Sequence, residues 1–367
     1  MPPATLESRA SVSREVVTEL WRLLLPQSAA QVSHEAEIAQ FRQVFSNELS
    51  VEECRHFNGH LPNNAQADAK FGAITATMDK FQRSGRPFRL FPYDDHASWP
   101  HFLDGYLIYY ASRYLLAVQF LLADLLRCHR LPSHIRALDV GVGPATTAIA
   151  LYEFLRQLDR ACRSVGEPFP IHDVQIAALD RSSNVLRYAN QLLTHYSDEI
   201  ENVTEAPLEP KFRSWLQSCQ TPIHHDLRRW PAPALPFAPN LIIFSNVISD
   251  VILLAGDKPE KDRAIVELMR GIQPGGVIAI LEHPIFHASL ESWLMKRGLL
   301  NEFHVVPTTP ALSRIGGLLH RSQSFRPHTL FAALLLRTPS LTTHAWRFAD
   351  PVNSGICWVQ AVLEAPV

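Results

Sequence analysis

The stretch ALDVGVGPATTAIALYEFL, Ala137–Leu155, passes from an apolar strand through two close glycines into a helix. Gly141 and Gly143 let the backbone turn sharply and let a ligand approach it closely. The helix that follows presents N–H groups with no partner inside the helix. Two more acids stand just after later strand-like runs, Asp180 in AALDRSSNV and Asp226 in IHHDLRR. An acid at the tip of a second parallel strand can accept both hydroxyls of a ribose. Asp180 also precedes a helix, so an N-cap role is equally open to it. His283, in ILEHPIF, directly follows a further strand, and its ordinary pKa suits proton abstraction near neutrality. Asn246, Asp250 and Glu282 belong to the same end of the sheet; a hydrogen-bonded loop histidine is the plainer reading of His283.

The elements that position these residues follow from hydrophobic periodicity. Residues 1–130 read as mainly helical, with helices expected at Val12–Leu25, Val51–His56, Ala65–Arg83 and Phe102–Arg130. From Ile135 onward, short apolar strands alternate with helices. Strands are expected at Ile135–Val140, Val174–Leu179, Pro222–His225, Leu241–Phe244 and Gly276–Leu281, and helices at Ala145–Arg160, Ser182–Tyr196 and Lys258–Gly271. The polar run SDEIENVTEAPLEPKF reads as an insertion. Leu330–Leu336 and Ile356–Leu363 read as an antiparallel pair closing the sheet edge. The expectation is an α/β protein with a seven-stranded, mostly parallel, doubly wound sheet. Residues 1–130 would form a helical N-terminal domain or cap, and residues 131–367 the ligand-binding domain.

Composition narrows the function classes. The chain has 367 residues, 47% apolar and 19% charged, with a net charge of −2, so no bulk basic excess announces nucleic acid. Five scattered cysteines without a C-x-x-C pair argue against a disulfide framework or a zinc site. The opening residues MPPATLESRASVSREVV carry no apolar run, and Tyr106–Leu126 and Pro236–Gly256 hold too many polar residues to span a bilayer. A cytoplasmic protein with reduced thiols, no membrane partner and no bound metal is expected. The N-terminal helices are candidates for pairing two chains.

A dinucleotide fold wants G-x-G-x-x-G, and position 146 is Thr; no Gly-Lys-Ser/Thr follows, so the turn is not a phosphate-binding P-loop. LDVGVGPAT instead resembles the turn of the class I S-adenosylmethionine (SAM)-dependent methyltransferases, an acid followed by G-x-G-x-G. Asp139, Gly141 and Gly143 match, and Ala145 stands at the third glycine. Asp180, Asp226, the strand-four segment LIIFSNVISDV and the turn QPGGVIAILEH follow in that family's order. The segment YYASRYLLAVQFLLADLLRCHRLPSHIRALDVGVGPATTA is also similar to the mitoribosomal small-subunit-associated methyltransferase-like family, although that family's cysteine cluster is missing.

The resemblance implies SAM as cofactor, with S-adenosylhomocysteine (SAH) as product. Asp139, Gly141, Gly143 and Ala145 would form its turn, Asp180 and neighbouring Arg181 would hold the ribose, and Asp226 and Leu227 would flank adenine. Asn246 would line the pocket, and Arg113, within the apolar helix before the first strand, would meet the cofactor carboxylate or pair with Asp104 or Asp124. The acceptor side would hold His283, Asn246 and Asp250. The usual Asn-Pro-Pro-aromatic motif is replaced by Ser-Asn-Val-Ile, which argues against the motif-bearing N-methylases of bases and of glutamine. Tyr106, Tyr109, Tyr110 and Trp99 are candidates to roof a substrate pocket, against plain aromatic core packing. The favoured substrate is a small molecule or short peptide, methylated on O or N. An RNA methyltransferase and a non-catalytic assembly factor of the same fold are the alternatives.

Overall fold

A computed structural model of the chain describes residues 9–24, 73, 76–77, 80–81, 83–84, 99, 101–103, 112–143, 145–203, 220–245, 247–249, 259–282, 287–305 and 358–366. Seven strands form one sheet: β1 His134–Val140, β2 Asp173–Asp180, β3 Gln220–His224, β4 Leu241–Ser245, β5 Val277–Glu282, β6 His304–Val305 and β7 Trp358–Glu364. Their order is β3-β2-β1-β4-β5-β7-β6. The first five pair in parallel, and β7 runs antiparallel to both β5 and β6. The helices are α1 Arg14–Leu24, α2 Ser112–Arg127, α3 Thr146–Val165, α4 Ser183–Val203, α5 Arg263–Arg270, α6 His287–Lys296 and α7 Leu299–Glu302.

Strand residues alternate between two apolar layers, as side chains of period two must. Ile135, Ala137, Ile176, Ala178, Leu241, Ile243 and Ala279 face a layer built with α1, α2, α3 and α4. Leu138, Val140, Ala177, Leu179, Ile242, Phe244, Ile278 and Ile280 face the layer containing α5, α6 and α7. A sheet covered on both sides explains the near-continuous apolar runs of β1, β4 and β5. Polar side chains break those runs at the carboxyl ends: Asp139 in β1, Asp180 in β2, Ser245 in β4 and Glu282 in β5. In an open parallel sheet, that end is where ligands bind.

Two expectations change. Ser197–Val203, read as the start of an insertion, continues α4; residues such as Glu199 and Glu201 favour a helix without any apolar period in the sequence. The strand paired with β7 at the edge is His304–Val305; the expected strand at Leu330–Leu336 lies outside the described residues, as do Val51–His56 and most of Ala65–Arg83. At the opposite, amino-terminal end of the parallel strands, Arg9 joins remote segments. Its guanidinium donates to the carbonyls of Arg130 and Gly275, each at 2.5 Å, and pairs with Glu364 at 3.4 Å.

Among the described residues, no helix is long and apolar enough to cross a membrane.

Candidate functional site

The turn after β1 lies over the end of β2, where the amides of Gly141 and Val142 both donate to the Leu179 carbonyl, at 2.8 and 3.3 Å. Gly141 and Gly143 have φ of 77° and 50°, the left-handed region that favours glycine. A Cβ at Gly141 would stand 2.1 Å from Val247 Cγ2 and 3.1 Å from the Ser245 carbonyl oxygen. Ala145 also adopts the left-handed region, with φ 58°. That conformation costs an alanine about 1 kcal/mol and accounts for a glycine being usual at this point of such a turn. Among the described residues, no side chain caps the amino end of α3.

Asp139, the penultimate residue of β1, is 1% exposed. Thr147, in the first turn of α3, donates its hydroxyl to Asp139 Oδ1 at 2.9 Å, which ties helix to strand. Asp139 Oδ2 is buried and has no hydrogen-bond partner among the described residues. Burial pushes the carboxyl up to about 7; the Thr147 hydroxyl opposes this, and the charge of Asp180 adds to it.

Asp180 ends β2, one residue beyond the Val140–Leu179 pair. Its Oδ1 accepts the Ser182 amide at 2.9 Å, and its carbonyl accepts the His225 amide at 3.0 Å. Burial raises its pKa to about 6, against the lowering pull of the Ser182, Gly143 and Arg181 amides and the Arg181 charge. The N-cap of α4 is the Ser182 hydroxyl, which accepts the Val185 amide at 3.2 Å. Asp180 therefore leaves the capping to its neighbour and keeps its carboxylate at the strand tip.

Beyond β3, Asp226 is fully engaged by Arg228, which donates its amide at 3.1 Å and its guanidinium at 2.8 and 2.5 Å. Burial alone would raise this carboxyl, but the Arg228 guanidinium and amide outweigh it, and Arg181 helps to hold the pKa below the usual range. Leu227 is buried in the apolar layer under the sheet. His224 and His225 face apart: one ring meets the Arg181 carbonyl at 2.8 Å, the other the Arg229 carbonyl at 3.1 Å. Among the described residues, no group of three or more His, Cys, Asp or Glu is placed to hold a metal ion.

The structure thus brings Asp139, Gly141, Gly143, Ala145, Asp180 and Arg181 to one end of β1 and β2. Asn246, Asp250, His283, Tyr106, Tyr109 and Tyr110 lie outside the described residues, and of Arg113 only the helical backbone is described. Asp124, one of its proposed partners, pairs with Arg127 at 2.9 Å. Trp99 is 5% exposed, edge-on to Phe81 at 5.9 Å, with the Lys80 ammonium 4.5 Å from its ring centre. That is aromatic packing of the kind weighed against a pocket role. Sequence reasoning missed Thr147, Val247 and the bond between Glu282 and Ser249. A carboxylate ending the otherwise apolar strand VIAILE was the available signal for the last of these.

No protein-family model matches the chain, and no curated protein matches it. Solved structures do. The glycopeptide N-methyltransferase MtfA in complex with SAH is 15% identical, over 41% of this chain and 43% of that one, with a TM-score of 0.26. An rRNA methylase from Streptococcus thermophilus is 12% identical, over 48% and 78%, with a TM-score of 0.29. The cyclase SpnF is 16% identical, over 68% and 80%, with a TM-score of 0.35. The match to MtfA takes in less than half of that enzyme's length. The sheet order, the one reversed strand and the glycine turn after β1 give this chain the class I methyltransferase fold.

Proposed function

We propose that the chain is a SAM-dependent methyltransferase acting on an O or N nucleophile of a small molecule or short peptide. The observation that carries this reading is the paired site at β1 and β2. A glycine turn that admits close backbone approach stands beside two desolvated carboxyls, one of which keeps a buried oxygen without a partner among the described residues. A buried oxygen of this kind carries a desolvation penalty that a polar ligand can relieve. An adenosyl ligand with a cationic amino-acid arm fits this donor set.

In this reading Asp180 accepts the ribose hydroxyls, with Arg181 beside it. The Gly141–Gly143 backbone lies against the amino-acid arm, and Asp139 faces its positive end. Leu227 flanks the adenine, and Asp226, held by Arg228, fixes that loop. Arg113 meets the carboxylate. The bound donor supplies a sulfonium methyl activated for in-line displacement. The protein holds the acceptor in line, an effect worth up to about 7–11 kcal/mol in favourable cases. Asn246 and Asp250, following β4, and His283, following β5, are proposed to orient the acceptor and take its proton, which adds roughly 10²–10⁴ in rate. Residues 1–130 are proposed to cap the pocket, with Tyr106, Tyr109 and Tyr110 in its roof and Trp99 packed behind it. A cytoplasmic setting is proposed from the scattered, unpaired spacing of the five cysteines.

The test is transfer of label from methyl-labelled SAM into a cell extract divided into small-molecule, peptide and RNA fractions. Label in the small-molecule or peptide fraction supports the proposal. Label in RNA, with retention on RNA that falls steeply with salt, replaces it with the RNA reading. SAM binding without label in any fraction points to an assembly factor.

A further inference from the structure

We propose that Glu282 is a positioning residue that sets the cofactor turn from two strands away, through Ser249 and Val247. The proposal rests on reading the turn as a SAM site.

Glu282 ends β5, whose other residues are apolar and buried, and is itself 1% exposed. A carboxylate so deep is costly unless it is hydrogen-bonded. Glu282 Oε1 accepts the Ser249 amide at 3.0 Å. Ile248 and Ser249 are helical, just past the end of β4. At the other end of this short arch, Ser245 is held in the ladder opposite Leu281. The arch is therefore pinned to β5 twice, once by backbone pairing and once by the Glu282 side chain. Between the pins, Val247 lies against Gly141, so closely that a single added carbon at Gly141 would fall 2.1 Å from Val247 Cγ2. Gly141 in turn hangs on the Leu179 carbonyl beside Asp180.

The contacts form a chain from the β5 tip to the cofactor turn: Glu282 carboxylate, Ser249 amide, Val247 methyl, Gly141 backbone. Packed interiors transmit small displacements. Release of Ser249 frees Val247 to shift, and the glycine turn loses the wall that fixes it. In this proposal the effect of Glu282 on binding passes through the Ser249 amide, held by its Oε1, and Val247.

The experiment is calorimetric titration of SAH into wild type, Glu282→Ala, Glu282→Gln and Val247→Ala, with a melting curve for each. Loss of one such hydrogen bond predicts about fivefold to tenfold weaker binding for Glu282→Ala. Glu282→Gln stays within about twofold, since its side-chain carbonyl still accepts the Ser249 amide. Val247→Ala also weakens binding, and adding it to Glu282→Ala costs less than the two effects combined. A Glu282→Ala protein that melts lower yet binds SAH like wild type overturns the proposal, as do Gln and Ala variants weakened equally. If Glu282→Ala does not fold, Glu282→Asp and Val247→Ala decide on the same criteria. Wild type that binds no SAH overturns the SAM reading itself and this role with it, a result distinct from a silent Glu282→Ala.

Discussion

Cofactor binding should be linked to protons, because the two carboxyls at the site are desolvated and near each other. The perturbation is a pH change from 7.5 to 5. Asp180, at about 6, is ionised to about 97% at pH 7.5 and about 9% at pH 5. If binding needs only its carboxylate, the apparent Kd rises about tenfold across that range, or about 1.4 kcal/mol. Asp139, at about 7, is ionised to about 76% and about 1% at the same two pH values. If both must be ionised, the rise is several hundredfold. The two titrate as a coupled pair, so the slope of log Kd against pH below 6 counts protons without assigning them. The assay is calorimetry with SAH across the range, repeated in buffers of different ionisation enthalpy. Binding should release protons, so the apparent enthalpy near pH 6 depends on the buffer. Asp139→Asn should lower the slope by one proton if Asp139 takes part. A flat Kd with no buffer dependence would refute the reasoning, since it would mean that neither carboxyl changes charge when ligand binds.

The same carboxyls act on the ligand-free protein with opposite sign. A folded-state pKa above the unfolded value means that the native state binds more protons, so stability falls as pH rises from about 4 through about 7. Asp139→Asn, which keeps an acceptor for Thr147, should therefore match wild type near pH 4 and exceed it at pH 8 by at most about 4 kcal/mol, measured by denaturant unfolding. Gly141→Ala combines a positive φ with a 2.1 Å clash on Val247, so it should cost roughly 2–4 kcal/mol and abolish SAH binding; a melting curve and a titration check both. Arg9→Ala, at the far end of the sheet, should lower stability by about 1–3 kcal/mol and leave the Kd for SAH unchanged.

Much of the fold was legible because a doubly covered parallel sheet writes itself as apolar runs, and those runs marked β1, β2, β4 and β5 nearly to the residue. The edge was harder. β6 is two exposed residues, too short for any periodicity, and α4 continues through polar residues that read as an insertion. At the candidate site, Gly141, Gly143 and Asp180 could be placed at two strand tips from the strand-to-helix pattern, and Asp139 from the resemblance of LDVGVGPAT to the methyltransferase turn. Their partners could not. Thr147 reaches Asp139 only because α3 begins where it does, and Glu282 meets Ser249 across two strands far apart in sequence. Asp226 shows a local contact that motif order does not carry: Arg228, two residues on, wraps back onto its carboxylate. Side-chain contacts made by folding back over a turn leave no period in the sequence.

The central claim is that the Gly141 turn and Asp180 hold SAM. Its most direct test is calorimetric titration of purified, ligand-stripped protein with SAM and with SAH, beside Asp180→Ala. Micromolar binding to wild type, lost in a folded Asp180→Ala protein, is the predicted result. No heat from either ligand, or equal affinity in the variant, would contradict the claim.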